Sequence, residues 1–296
     1  MKKSTIYIIF ILPFFIVFKL QAQDLQNLNA LLFEKENFNT AYIASDSNEL
    51  NVSTIVSIAN VVEKNNKFHF LLNGNIGKLG LGFGVKVNTS FHSIFQTTSA
   101  EIFLAKRLNL GKKHALSFGL NTGLILNSLR QDKVNQYTNL EDPVIKDLFY
   151  DRVGFSAGLG LKYNWNDKFN FGVSLPFLVN TFEGIDPVYI INTSYRQYFG
   201  KNFSLTPELV VYGTRYVKPT LEVNTKLNYQ NIAYIKVGAR LTEQVFFGAG
   251  GNIKFIDFAY IYKLSFGNHF KQIFPNVHNV SVKFRFLENS LKKKKS

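Results

Sequence analysis

Few residues in this chain could do acid–base, nucleophilic or metal chemistry, and those few are widely spaced. The five histidines, His69, His92, His114, His269 and His278, form no H-x-x-x-H pair and no H-E-x-x-H motif, so a metal centre would have to be assembled from distant segments. There is no cysteine, which excludes disulfides, thiolate metal sites and a cysteine nucleophile. A hydrolase would need a serine or aspartate converging with a histidine. His114 opens an alternating segment and His269 and His278 flank a long link, yet no G-x-S-x-G motif supports such a site. The acids Glu141, Asp142, Asp147 and Asp151 gather in one link, where a solvated loop is a simpler reading than a cation site. Gly80, Gly82 and Gly84 stand as G-x-G-x-G, not the G-x-G-x-x-G of a dinucleotide loop, and no helix follows them. The expectation is a protein that is not an enzyme and carries no cofactor or metal.

Those glycines belong to a different pattern. Leu79, Leu81, Phe83, Val85 and Val87 alternate with Gly80, Gly82, Gly84, Lys86 and Asn88, so a period of two separates a greasy face from a small and polar one. From Arg152 to Asn164 the same split sets Val153, Phe155, Ala157, Leu159, Leu161 and Tyr163 against Gly154, Ser156, Gly158, Gly160 and Lys162. About fourteen such segments fall between Val52 and Leu287, several of them ten residues or longer, the length that a tilted strand needs to cross a bilayer. Tight turns such as Trp165 to Lys168 and Gln230-Asn231 alternate with long links, notably Leu129 to Asp151, Phe177 to Pro187 and Gly267 to Asn276. The pattern predicts an all-β fold, a transmembrane antiparallel β-barrel of about fourteen strands in the outer membrane, with both termini on the periplasmic side. Tyr163, Phe169, Tyr195, Phe203 and Tyr229, near strand ends, would serve as aromatic girdles. The inward parity also collects Lys86, Arg152, Lys162, Arg196, Glu208, Glu222, Lys226, Lys236, Arg240, Lys283 and Arg285. Each would cost about 2 to 4 kcal/mol if turned to lipid at the bilayer midplane, so their shared parity argues for a polar lumen.

The ends complete the layout. Met1-Lys2-Lys3, the apolar run Ile6 to Phe18 interrupted by Pro13, and Leu20-Gln21-Ala22 read as a secretory signal cleaved after Ala22. The domain plan is therefore a signal over 1–22, an N-terminal periplasmic or lumenal segment over 23–50, a barrel over 51–287 and a basic tail over 288–296. Lys2, Lys3 and Lys19 of the signal and Lys292 to Lys295 of the tail supply half of the formal charge of +14. The remainder is dispersed, so no nucleic-acid partner is expected.

The stretch "QDLQNLNALLFEKENFNTAYIAS" (Gln23 to Ser45) resembles the N-terminal signature of the PorP/SprF family of type IX secretion and gliding-associated outer-membrane proteins. The family begins Q-D-P and closes this segment on N-P-A-Y-x-G-S. Gln23, Asp24, Asn39, Ala41, Tyr42 and Ser45 stand in register, while Leu25 and Thr40 replace prolines and Ala44 replaces the glycine. "FAYIYKLS" (Phe258 to Ser265) and "HNVSVKFRF" (His278 to Phe286) are similar to its last two strands. The resemblance implies a non-enzymatic barrel that supports export or surface attachment of type IX cargo, with outer-membrane lipid, the secretion machinery and secreted cargo as partners. The residues alone leave a second reading open, a porin whose basic lumen suits anionic solutes.

Overall fold

The alternation pairs neighbouring strands into one continuous antiparallel sheet. The computed structural model describes residues 35–59, 66–92, 95–130, 152–181, 187–214, 219–240, 244–266 and 276–289. The strands are β1 (Asn48–Ala59), β2 (Lys67–Ile76), β3 (Leu81–His92), β4 (Phe95–Asn109), β5 (His114–Leu129), β6 (Arg152–Trp165), β7 (Phe169–Asn180) and β8 (Tyr189–Tyr195). They continue with β9 (Gln197–Phe199), β10 (Phe203–Gly213), β11 (Thr220–Tyr229), β12 (Ala233–Arg240), β13 (Gln244–Ile253), β14 (Ile256–Ser265) and β15 (Val277–Asn289). β8 and β9 are two halves of one stave broken at Arg196, and both pair with β10. β15 returns to β1, and β10 pairs onward with β11, so the sheet closes as a barrel of fourteen staves.

Closure decides what each face meets. Leu104, Leu120 and Val153 are 66%, 64% and 63% exposed on the outside, an apolar surface that runs around the whole barrel and that water would not tolerate. The opposite parity is buried and carries Asn51, Ser53, Ser117, Asn121, Ser156, Ser174, Asn192, Ser194 and Asn279. At one end the connections are tight, and Asn166, Asp167, Gln230, Asn231 and Lys254 adopt positive φ, the left-handed geometry that two-residue hairpin turns demand. β1 begins and β15 ends at this short-turn end. Exposed Trp165, Tyr195, Phe203 and Tyr229 ring it from outside, the last two with ring centroids 5.1 Å apart.

Two local boundaries differ from the alternation. Gly80 belongs to a turn, not to a lumenal face: Leu79 N donates to Ile76 O (3.0 Å), Gly80 N donates to Gly77 O (3.1 Å), and Gly80 has φ +59°. Strand β3 therefore starts at Leu81. A turn expected at Asn252 falls later as well: Asn252 lies inside β13, and the chain reverses at Lys254 and Phe255. The signal segment, Gln23, Asp24, the acidic link from Glu141 to Asp151, His269 and the lysine tail lie outside the described residues.

Candidate functional site

Residues 35–45 cross the interior of the short-turn half of the barrel. The segment makes two 3-10 turns, Lys35–Asn37 and Thr40–Tyr42. Asn39 caps the second: its Oδ1 accepts from Ala41 N at 3.0 Å, while its Nδ2 donates to the carbonyls of Leu161 (2.9 Å) and Val173 (3.2 Å) on β6 and β7. One amide thus shapes the turn and fastens it to the wall. Phe38 packs on Val188, Ile190, Val210 and Tyr212, and Ile43 and Ala44 pack on Leu71, Phe103 and Ala105, so both flanks of the turn have an apolar seat.

Inward glycines make this approach possible. A Cβ on Gly119 would overlap Thr40 and the nitrogen of Ala41, and one on Gly160 would overlap Asn39. A Cβ on Gly82 would stand 2.8 Å from Ile43 Cγ2 and 2.9 Å from Ala44 N, and one on Gly172 would stand 2.9 Å from the Tyr42 hydroxyl. Four staves, β3, β5, β6 and β7, therefore form a trough fitted to a backbone.

Polar groups lock the ends. Lys35 forms an ion pair with Glu208 on β10. Burial alone would lower the Lys35 pKa, but the Glu208 carboxylate outweighs it and the pKa rises above its ordinary 10.5. Burial raises the Tyr42 pKa as well. The Tyr42 hydroxyl accepts from Asn192 Nδ2 at 2.6 Å, and Lys162 Nζ lies 4.6 Å from its ring centroid. Lys86 Nζ donates to Asn37 O at 2.9 Å and meets Glu101 Oε2 at 3.0 Å, and Asn121 Nδ2 donates to that same oxygen at 2.9 Å. At the rim, Arg107 pairs with Asp46 at 2.9 Å and Ser45 N donates to Asn75 Oδ1 at 3.2 Å.

The other arc of the wall is charged. Glu222, Lys236, Arg240 and Lys263 are buried on β11, β12 and β14, with Arg240 3.7 Å from Glu222 and 5.3 Å from the Tyr212 ring centroid. Asp257 forms an ion pair with Arg285, Oδ2 to Nε 3.2 Å, nearer the short-turn rim.

A sequence model described as "Type IX secretion system membrane protein PorP/SprF" matches residues 20–284. The chain belongs to the PorP/SprF family. No curated protein matches it in sequence. Among solved structures, the outer-membrane protein Omp33 of Acinetobacter baumannii is similar at TM-score 0.52 and 9% identity, over 81% of this chain and 99% of that one. The Pseudomonas putida toluene transporter TodX follows at TM-score 0.49 and 13% identity over 87% and 92%, and the KdgM porin at 0.42 and 11% over 80% and 99%. Fold and family together put this PorP/SprF chain in the outer membrane.

Within this family member the signature residues Asn39, Ala41, Tyr42 and Ser45 come together in the lumen-crossing segment. His278 and Phe286 sit elsewhere, on the outer face of β15, where His278 Nδ1 lies 2.7 Å from the Tyr260 hydroxyl. Of the charges picked out by parity, Lys86, Glu208, Glu222, Lys236 and Arg240 are buried, and Lys162, Arg196, Lys226, Lys283 and Arg285 are half-buried. The side chain of Arg152 is outside the described set. Lys67, Glu101 and Lys263, outside that parity set, are also buried and inward. Glu101 was readable, since it alternates with Ile102 and Leu104, but Phe103 on its own face blurred the polar signal. Two further histidines are engaged, His69 with Asn88 and His114 with Tyr163 at 2.7 Å on the outside. Among the described residues no group of three histidines or acids could hold a metal.

Proposed function

We propose that the protein is an accessory barrel of type IX secretion that supports export or surface attachment of cargo through protein–protein contacts, not by conducting solutes. In this reading the signal over 1–22 is removed, the short-turn end faces the periplasm, and the segment over 23–50 is where the chain meets the machinery. The observation that carries it is the lumen itself, crossed by the chain's own backbone and filled by buried ion pairs. Filling a fourteen-stave barrel this way sacrifices the water-filled path of an open channel. Family membership supplies the secretion context.

The second reading is an anion-conducting porin, favoured by the surplus of inward lysines and arginines. Gene deletion with assay of secreted and surface-displayed type IX cargo, alongside planar-bilayer recording of the purified protein, separates the two. The proposal expects cargo loss and a silent barrel. Normal cargo display together with a stable anion-selective pore would establish the porin instead.

A further inference from the structure

Beside the crossing segment, the short-turn mouth opens as a cavity of about 280 Å³. Its wall brings together Arg196 from the break between β8 and β9, Lys226 from β11 and Lys283 from β15, against two acids, Glu36 and Asp257. Asp257 is already engaged by Arg285 at 3.2 Å. Among the described residues neither Arg196 nor Lys226 has a carboxylate partner within ion-pair distance, so the mouth holds more positive charge than it neutralises. Lys226 Nζ rests 3.7 Å from the Tyr234 ring centroid, which fixes its position and leaves its charge unpaired by an acid. The stave break matters too. At Arg196 the backbone N–H donates to Lys168 O (2.8 Å), the next position in the β7–β8 register, and the side chain lines the cavity.

We infer that this mouth binds an acidic peptide segment of a partner protein, held by carboxylate contacts to Arg196, Lys226 and Lys283. The spread of the cations selects a peptide over a small free anion. Lys226 and Lys283 stand on staves four apart, about 19 Å along the wall at about 4.8 Å per stave, so one compact anion cannot meet both. An extended run of about five or six residues at about 3.3 Å each spans that distance. Arg196 offers a planar fork matched to a carboxylate, and Asn228 adds an amide to the lining. Like charges gathered within low-dielectric walls repel one another, and a bound polyanion relieves that repulsion.

The inference rests on the secretion reading only for where the peptide comes from. Its test is fluorescence anisotropy of labelled hexaglutamate with the full mature chain in detergent micelles. Saturable binding is expected that weakens with added salt and falls at least tenfold in the double variant R196Q/K226Q. Lys283→Gln alone should weaken it several-fold, and Lys112→Gln, in an exposed turn on the far arc, should leave it unchanged. Equal binding of hexaglutamine, equal loss in Lys112→Gln, full affinity in both mouth variants, or equally effective displacement by inorganic phosphate would each overturn the assignment. Hexaglutamate binding as described, in a protein whose deletion leaves cargo export intact, would keep the site and remove the secretion reading.

Discussion

Two arcs of one barrel wall solve the same problem in opposite ways. The arc from β3 to β7 removes side chains: Gly82, Gly119, Gly160 and Gly172 leave a trough that a backbone segment fills. The arc from β11 to β15 keeps long charged side chains, which fill its inner face except at the short-turn mouth. Glycine occurs on both arcs, but its neighbours differ. A Cβ on Gly238 would strike Phe246, one on Gly248 would meet Ile261, and one on Gly250 would meet Tyr234, all of them side chains of the barrel itself. The first arc is therefore built to receive a chain, and the second is packed against itself. Docking can be broken on one arc without disturbing the other.

The largest effect is expected where the segment and an ion pair share a residue. Lys86→Met strands the buried Glu101 carboxylate with only Asn121, and should cost about 3 to 5 kcal/mol in urea unfolding from micelles. The double variant K86M/E101L should recover most of that. Arg240→Met on the opposite arc should cost less, because Lys236 and Lys263 still act on Glu222. Next comes Gly119→Val, whose methyls occupy the place of Thr40 and Ala41. It should release the segment and speed tryptic cleavage after Lys35 at least tenfold, whereas Gly248→Val should cost about 1 to 3 kcal/mol of barrel stability and leave Lys35 protected. Asn39→Ala removes the cap and two wall bonds and should cost about 1 to 2 kcal/mol. Tyr42→Phe, which loses the Asn192 bond, should cost about 1 kcal/mol.

The smallest effect is a response to alkali. Lys35 and Tyr42 both have pKa values raised above their ordinary 10.5 and 10.0. A raised pKa favours the folded state while the proton is held, so docking is fully present at neutral pH and declines only as pH climbs past those values. Cleavage after Lys35 should therefore be constant from pH 7 to about 9 and rise above about 10.

Much of the barrel was legible because lipid enforces the alternation along every stave. Val153 and Phe155 face out and Gly154 and Ser156 face in, as a period of two requires. The alternation blurs where the interior is packed with apolar side chains, as at Phe103, Phe246 and Ile261, and this is why Glu101 and Lys263 escaped notice. The trough was not legible either. Gly119 and Gly248 look alike in a strand pattern, and only closure of the sheet shows that one faces a crossing backbone and the other an isoleucine. The family signature pointed to the segment itself through Asn39, Ala41 and Tyr42. Its partners on β6, β7 and β8 are more than a hundred residues away in sequence and carry no local signal.

Maleimide labelling of Ala41→Cys in the folded protein in detergent micelles tests the occupied lumen most directly. The chain has no cysteine of its own, and Ala41 is fully buried, whereas Lys112 lies exposed in a turn. Protection of Ala41→Cys until the barrel is unfolded, with rapid labelling of a Lys112→Cys control, is the predicted result. Labelling of both at the same rate in the folded protein would contradict it.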